Sequence, residues 1–276
     1  MPELPEVETI RRTLSELVIG KTISKCDVFW PKMIKKPDDI EEFKHRIVGQ
    51  TIHQIDRRGK FLKFILDQDV LVSHLRMEGR YGLFQPDEPW NKHVHVVFTF
   101  TDGTELRYQD VRKFGTMHLF TKGEEESSLP LSNLGVEPFS PEFTLSYFQT
   151  ALKKTERKIK QVLLDQAVVV GLGNIYVDEA LFRAGVHPET QASQLTPSKV
   201  TLLRDEMIAT LSEAVDKGGS TVRSYVNTQG QIGMFQLDHY VYARNGEPCR
   251  RCGSEIVKLK VGGRGTHICP NCQGNG

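Results

Sequence analysis

The strongest constraint on this 276-residue chain lies near its end, where Cys249, Cys252, Cys269 and Cys272 stand in a C-x2-C-x16-C-x2-C array. Each C-x2-C pair can grip one side of a tetrahedral ion from a turn, and the segment between them is long enough for a hairpin. Two disulfides or a redox dithiol are the rival readings. The first thirty residues mix Glu, Arg and Lys with apolar residues and offer neither a signal peptide nor a membrane span, so the chain is expected in the reducing cytoplasm. No thioredoxin-like βαβ pattern surrounds the cysteines. Four thiolates fill every position of a Zn2+ ion and leave none for water, so the expected zinc is structural and not the catalyst. The fifth cysteine, Cys26, falls in a strand-like run and reads as a core residue.

A chain of this length accommodates two domains, or two and a small module. Hydrophobic residues at 38% and charged residues at 26% suit a folded soluble protein and exclude a membrane protein. Lys plus Arg is 36 against 35 for Asp plus Glu, so net charge alone does not call for a polyanionic partner. Distribution carries more information. Basic residues gather at Arg57, Arg58, Lys60 and Lys63, at Lys153, Lys154, Arg157, Lys158 and Lys160, and at Arg244, Arg250, Arg251, Lys258, Lys260 and Arg264, with an acidic run at Glu124, Glu125 and Glu126. Brought onto one face, such clusters would grip phosphates; singly, each is ordinary solvated surface.

The stretch PELPEVETIRRTLSELVIG predicts a helix, with Pro5 at its first position, Glu6 and Glu8 in the first turn, Val7, Ile10, Leu14 and Leu17 on one stripe, and Gly20 closing it. From there to about 121, TISKCDVFW, TIHQID, KFLKFIL, VLVSHLRM, YGLF, HVHVVFTF, ELRYQD and TMHLF predict strands, with TDG at 101–103 as a tight turn. These strands suggest an antiparallel sandwich or flattened barrel against the first helix. KGEEESSLPLSNLGVEPFSPEF has a linker's composition, and after it SPEFTLSYFQTALKK, ERKIKQVLLDQ, NIYVDEALFRAG and TPSKVTLLRDEMIATLSEAVDKGG have helical spacing, the last capped by Thr196 and opened by Pro197. The segment 218–235, rich in Gly, Ser, Thr and Asn, is expected to be a long functional loop.

Two further motifs point to phosphate. KLKVGGRGTH sets Lys258, Lys260 and Arg264 around a glycine turn between the cysteine pairs. VVVGLGNIYVDEALF feeds Gly171 and Gly173 into a helix at Asn174, where unpaired backbone N–H groups form an anion site. A dinucleotide fingerprint would need a third glycine and a preceding strand, so a nucleic-acid phosphate is the expected occupant. The remaining oddity is Pro2 beside Glu3, behind a methionine that is routinely removed.

Together PELPEVET, GKFL, VSHLRMEG, DVRKFGT, VVGLGNIYVDEALFRAGVHP, GGSTVRSYVNTQG and the four cysteines with GGRGTHICP resemble the bacterial formamidopyrimidine-DNA glycosylases, from Pro2 to Cys272. The resemblance implies an α+β multidomain fold: an N-terminal β-sandwich with a flanking helix (1–131), a helix-two-turns-helix domain (132–237) with a lesion-recognition loop at about 218–235, and a C-terminal zinc finger (238–276). It also implies a base-excision-repair glycosylase that removes oxidised purines from duplex DNA and cleaves the strand by β,δ-elimination, acting as a monomer in the bacterial cytoplasm and associated with the nucleoid.

By the same resemblance Pro2, freed of Met1, is the nucleophile. An α-amino group titrates at about 7.7 to 8.0, so a useful neutral fraction exists near pH 7. Glu3 would manage protons on sugar and base, while Lys60 and Arg264 would assist elimination and hold phosphates. Met77, Arg112 and Phe114 would fill the gap left by the everted nucleotide, whose unstacking costs a few kcal/mol. His74, His93, Asn174, Tyr242 and Lys258 match backbone-contacting positions. Glu78, Ser220, Val222, Arg223, Ser224 and Tyr225 would read the lesion, because oxidation turns N7 of guanine from acceptor to donor. The alternatives are an endonuclease VIII-type enzyme for oxidised pyrimidines, whose PEGPE start differs from PELPE here, and a zinc-ribbon DNA-binding protein without activity. The residues QGNG after the last cysteine have no function legible in the sequence.

Overall fold

The structure is a computed structural model that describes residues 1–220 and 233–274. Two compact units divide the chain: the first contains Met1–Pro2 and Glu6–Ser132, the second Glu3–Pro5, Asn133–Ser220 and Met234–Gly276. Among the described residues no helix is long and apolar enough to cross a membrane.

In the first unit, helix α1 (Leu4–Val18) turns Val7, Ile10, Leu14 and Val18 into the core. Val7, Ile10 and Leu14 are the stripe expected from the 3.6-residue period, but Val18 takes the last buried place and Leu17, expected there, is only partly buried. Nine strands follow: β1 (Ile23–Val28), β2 (Ile34–Lys36), β3 (Gln54–Arg58), β4 (Phe61–Ile65), β5 (Asp69–His74), β6 (Arg80–Phe84), β7 (Val94–Phe100), β8 (Glu105–Gln109) and β9 (Thr116–Thr121). They form a four-stranded sheet, β1-β7-β8-β6, and a five-stranded sheet, β2-β9-β5-β4-β3. Alternation lets each sheet supply one face to a shared core, with Phe64, Leu71 and Leu119 from the larger and Phe98, Leu106 and Tyr108 from the smaller.

Two features depart from the sequence reading. The β2–β9 edge pair is parallel, and a second helix, α2 (Ile40–Ile47), interrupts the strands. Its signals are local: Asp39 accepts a cap hydrogen bond from Glu41 N at 2.8 Å, and Ile40, Phe43 and Ile47 share one face.

The second unit carries α3 (Leu145–Lys153), α4 (Ile159–Leu164), α5 (Asn174–Arg183) and α6 (Pro197–Asp216), then the hairpin β10 (Val257–Val261) and β11 (Arg264–Ile268). Thr196 caps α6 through Lys199 N, as its sequence predicts. Part of the linker-like stretch is built into this unit. Gly135 N donates to Gln166 O at 2.8 Å, Val136 bridges Val169, and Phe143 is fully buried. Helix α5 is enclosed on nearly every side, Asp178 and Glu179 included.

Candidate functional site

At the start of the chain, Glu3 is buried and its carboxylate lies on the N-terminus of α5. Oε2 accepts from Gly173 N at 2.6 Å and Tyr176 N at 3.3 Å, and Oε1 accepts from Ile175 N at 2.9 Å. These are the donors that the sequence reading assigned to a DNA phosphate. The anion is instead the chain's own carboxylate, brought there by the 2.9 Å bond from Leu4 N to Gly171 O. Both the unpaired first-turn N–H groups and the helix dipole favour a negative group at that place. Gly173 has to be glycine, since a Cβ would stand 2.4 Å from Glu3 Cδ.

In the first unit Lys60 lies in the Gly59 turn just before β4 and is buried, as is His74 at the end of β5. Phe61 pairs with His74 across the strands, their rings edge to face at 4.5 Å. His74 Nδ1 accepts from Arg76 N at 2.9 Å. Burial, reinforced by the Arg76 and Lys60 charges, pushes the His74 ring down to about 3, so it is neutral at neutral pH.

Met77, Glu78, Arg112 and Phe114 are all exposed on two turns of the same unit. An exposed Met and Phe would be anomalous if their purpose were packing. Arg112 lies over the Phe114 ring at 4.7 Å. Buried Asp110 shapes their turn by accepting from Arg112 N at 3.0 Å and Gly115 N at 2.8 Å, and Asp110 N donates to His93 O. Gly79 and Gly115 close the two turns against one buried phenol, where a Cβ would come within 2.1 and 1.8 Å of Tyr108 Oη. Neither Asp110 nor Tyr108 was singled out from the sequence. The available signal was the D-x-R turn, in which an Asp side chain folds back on its own backbone.

In the second unit the Sγ atoms of Cys249, Cys252, Cys269 and Cys272 all lie within 4.8 Å of one another. The pairs Cys249–Cys272 and Cys252–Cys269 are 3.9 and 3.5 Å apart. Zinc bonds of ~2.3 Å in a tetrahedron require sulfurs ~3.8 Å apart, so the residues present fit one structural zinc. Backbone N–H groups of Arg251 and Cys272 point at Cys249 and Cys269 sulfurs. Gln273, in the unexplained tail, accepts from Cys269 N and donates to Val186 O, both at 3.0 Å, and so is a structural residue.

The hairpin exposes Arg264 and Lys258. Next to Arg264, the Gly265 carbonyl accepts from Asn174 Nδ2 at 2.8 Å and Lys160 Nζ at 3.3 Å. Lys160 is fully buried and paired with Asp178 at 2.6 Å, and Asp178 also accepts from His267 N at 2.9 Å. Burial lowers the Lys160 ammonium, against the pull of Asp178. Tyr242 packs its ring on His267 at 5.0 Å, and its N–H donates to Glu179.

The basic clusters are therefore not uniform phosphate-facing surfaces. Lys160 is internal, Arg157 pairs with Asp165, and Lys158 pairs with Glu189. Lys63 is held between Glu125 and Glu126, and Arg58 lies 3.6 Å from Glu126, so the acidic run answers the first basic cluster. Ser220 is buried at the end of the described stretch. Val222, Arg223, Ser224 and Tyr225 lie outside the described residues.

Comparison with known proteins accounts for the chain along its length. Residues 1–117 match the formamidopyrimidine-DNA glycosylase N-terminal domain, 134–226 the formamidopyrimidine-DNA glycosylase H2TH domain, and 246–274 the zinc finger found in FPG and IleRS. Formamidopyrimidine-DNA glycosylases of Bacillus licheniformis and Bacillus subtilis are 66% and 63% identical over 273 residues, covering 99% of this chain and 99% of each relative. Lactococcus lactis Fpg, solved in complex with abasic-site DNA, is 44% identical with a TM-score of 0.93, covering 99% of this chain and 100% of that one. The chain belongs to the formamidopyrimidine-DNA glycosylase family.

Proposed function

We propose that this protein is a base-excision-repair DNA glycosylase and AP lyase that removes oxidised purines from duplex DNA. The observation that carries the reading is full-length identity of 66% to a formamidopyrimidine-DNA glycosylase. Two solved structures of one relative, Lactococcus lactis Fpg with DNA containing an abasic site and with DNA containing N7-benzyl-Fapy-dG, support the substrate class.

Pro2, with Met1 removed, is the nucleophile. Its secondary amine attacks C1′, the glycosidic bond breaks with its electron pair going to the base, and the base takes up a proton. Opening the sugar ring leaves an iminium, which is cationic without protonation and so draws electrons from C2′. Loss of a C2′ proton expels the 3′ phosphate, and a second elimination expels the 5′ phosphate. Glu3 exchanges protons at the sugar and base. Held on three backbone N–H groups, its carboxylate has little rotational freedom, which favours a defined reach. Lys60 and Arg264 hold phosphates and assist elimination. His74, His93, Asn174, Tyr242 and Lys258 contact the backbone, and His74, kept neutral, does so as a hydrogen-bonding group without charge. Met77, Arg112 and Phe114 fill the vacated stack. Glu78, Ser220 and residues 222–225 read the base.

The structural zinc holds the turn bearing Arg264 and takes no part in the chemistry. Working boundaries are 1–131, 132–237 and 238–276, and the protein acts as a cytoplasmic monomer associated with the nucleoid through DNA. Incubation of zinc-loaded protein lacking Met1 with duplex containing 8-oxoguanine opposite cytosine, quenched with borohydride, is expected to give a covalent adduct and strand cleavage. Intact DNA and no adduct would refute the assignment.

A further inference from the structure

Ser220 is the one candidate base-reading residue that the structure describes inside the second unit, and its side chain is not directed to solvent. Ser220 Oγ lies 3.0 Å from Tyr176 Oη and 3.0 Å from His239 Nε2, and the three side chains are 5%, 0% and 2% exposed. Tyr176 belongs to α5, the helix whose N-terminus holds Glu3, whereas His239 follows the short turn Phe235–Asp238. Phe235 packs on both rings, at 5.7 Å from Tyr176 and 5.6 Å from His239.

The hydrogen bonds have a direction. Tyr242 N–H is committed to Glu179 at 2.9 Å, so the bond between the His239 ring and the Tyr242 backbone runs from a ring N–H to the carbonyl. A neutral imidazole that donates from Nδ1 accepts at Nε2. Burial, aided by Arg250 and Arg244 and opposed by the Tyr242 bond and Asp238, brings this ring down to about 4, so the neutral form prevails at neutral pH. Ser220 then donates to Nε2 and receives from the Tyr176 hydroxyl, giving an ordered path from Tyr176 through Ser220 and His239 to Tyr242. Ser220 is also backbone-paired with Met234, and Phe235 N donates to Gly219 O at 2.9 Å.

We infer that Tyr176 and His239 are positioning residues for base recognition: by fixing Ser220 Oγ from two sides they set the Ser220 backbone against which the everted base is read. The inference rests on the glycosylase reading and on the role given there to Ser220. An ordered buried chain is worth more than its separate bonds, and a member left without its partner loses its orientation.

The test compares two activities of the full-length, zinc-loaded protein. Excision of 8-oxoguanine needs the base to be read; strand cleavage at a preformed abasic site does not. His239→Leu is expected to lower kcat/KM for excision about tenfold while abasic-site cleavage stays within about twofold, and Tyr176→Phe, whose backbone N–H still holds Glu3, to lower excision by the same factor. His239→Gln, which returns an acceptor near Nε2, should recover most of the excision. The double variant should cost little more than either single one, because both break the same path. Parallel loss of both activities, in step with a lowered Tm, would overturn the inference, as would excision unchanged in both single variants. A wild-type protein with neither activity would refute the glycosylase reading itself.

Discussion

The two units present functional groups by different physical means. In the first, Met77, Arg112 and Phe114 are exposed on turns whose shape comes from close approach, since Gly79 and Gly115 leave no room for a side chain beside the Tyr108 phenol. In the second, buried carboxylates orient backbone: Glu3 on the start of α5, Asp178 on His267 N, and Glu179 on the N–H groups of Tyr240, Val241 and Tyr242. Steric fit suits side chains that stand exposed on a turn, with no packing of their own to hold them. Acids aimed at backbone suit the small cysteine module, where among the described residues the buried apolar cluster is Cys249, Cys269, Phe182, Val241 and Ile256, with Tyr240 and Cys272 partly buried against it.

The largest effect that would sharpen this contrast is loss of zinc. Structural zinc contributes on the order of 10 kcal/mol in small modules. Chelation, or Cys269→Ala, is expected to abolish DNA binding in gel-shift assays while the circular dichroism of the strands is retained. Loss of both together would mean that the sheet unit also depends on the metal.

Next in size is Gly115→Ala, whose Cβ would meet Tyr108 Oη at 1.8 Å. Overpacking of this kind costs about 1–3 kcal/mol, and adding Tyr108→Phe, which deletes the obstructing oxygen, should recover part of the lost Tm. No recovery would show that the turn is held by something other than that approach.

Glu179→Gln comes third. Burial raises the Glu179 carboxyl above its usual range, with the N–H groups of Tyr242, Tyr240 and Val241 and the Arg183 charge pulling it back. Replacing one acceptor oxygen with an NH2 group is expected to cost about 2 kcal/mol in urea denaturation, and an unaffected variant would refute the carboxylate account.

The last effect, on pH dependence, is slight near neutrality and grows toward low pH, and it applies to both units. Unfolded histidine titrates near 6.5, whereas the folded rings do so at about 3 for His74 and about 4 for His239. Below 6.5 the unfolded chain binds protons that the folded one refuses, so stability is complete above pH 6.5 and falls as the pH drops toward 4. His239→Leu should flatten part of that slope in Tm measurements, and an identical slope would contradict the buried neutral ring.

Period and motif carried much of this into the sequence. The α1 stripe, the strands, the Thr196 cap and the four cysteines were all legible, because each depends on neighbours in the chain. What escaped depends on distant partners. Nothing near Gly173 announces that Glu3 fills its anion site from 170 positions away. Lys160 looks like a surface cation among Lys158 and Arg157 until Asp178 and Thr266 enclose it. The helical spacing of α5 gives no sign that Asp178 and Glu179 are buried along with its apolar residues. Helix α2 is different, since its Asp39 cap and its helical spacing both lie within the segment itself.

The central chemical claim is that an imino-acid terminus bonds to sugar carbon during turnover. Protein lacking Met1, trapped with borohydride on 8-oxoguanine duplex, can be digested and its DNA-linked peptide sequenced by mass spectrometry. The account predicts the deoxyribose fragment on the Pro2 nitrogen. A fragment on the Lys60 side chain, with the Pro2 amine unmodified, would contradict it.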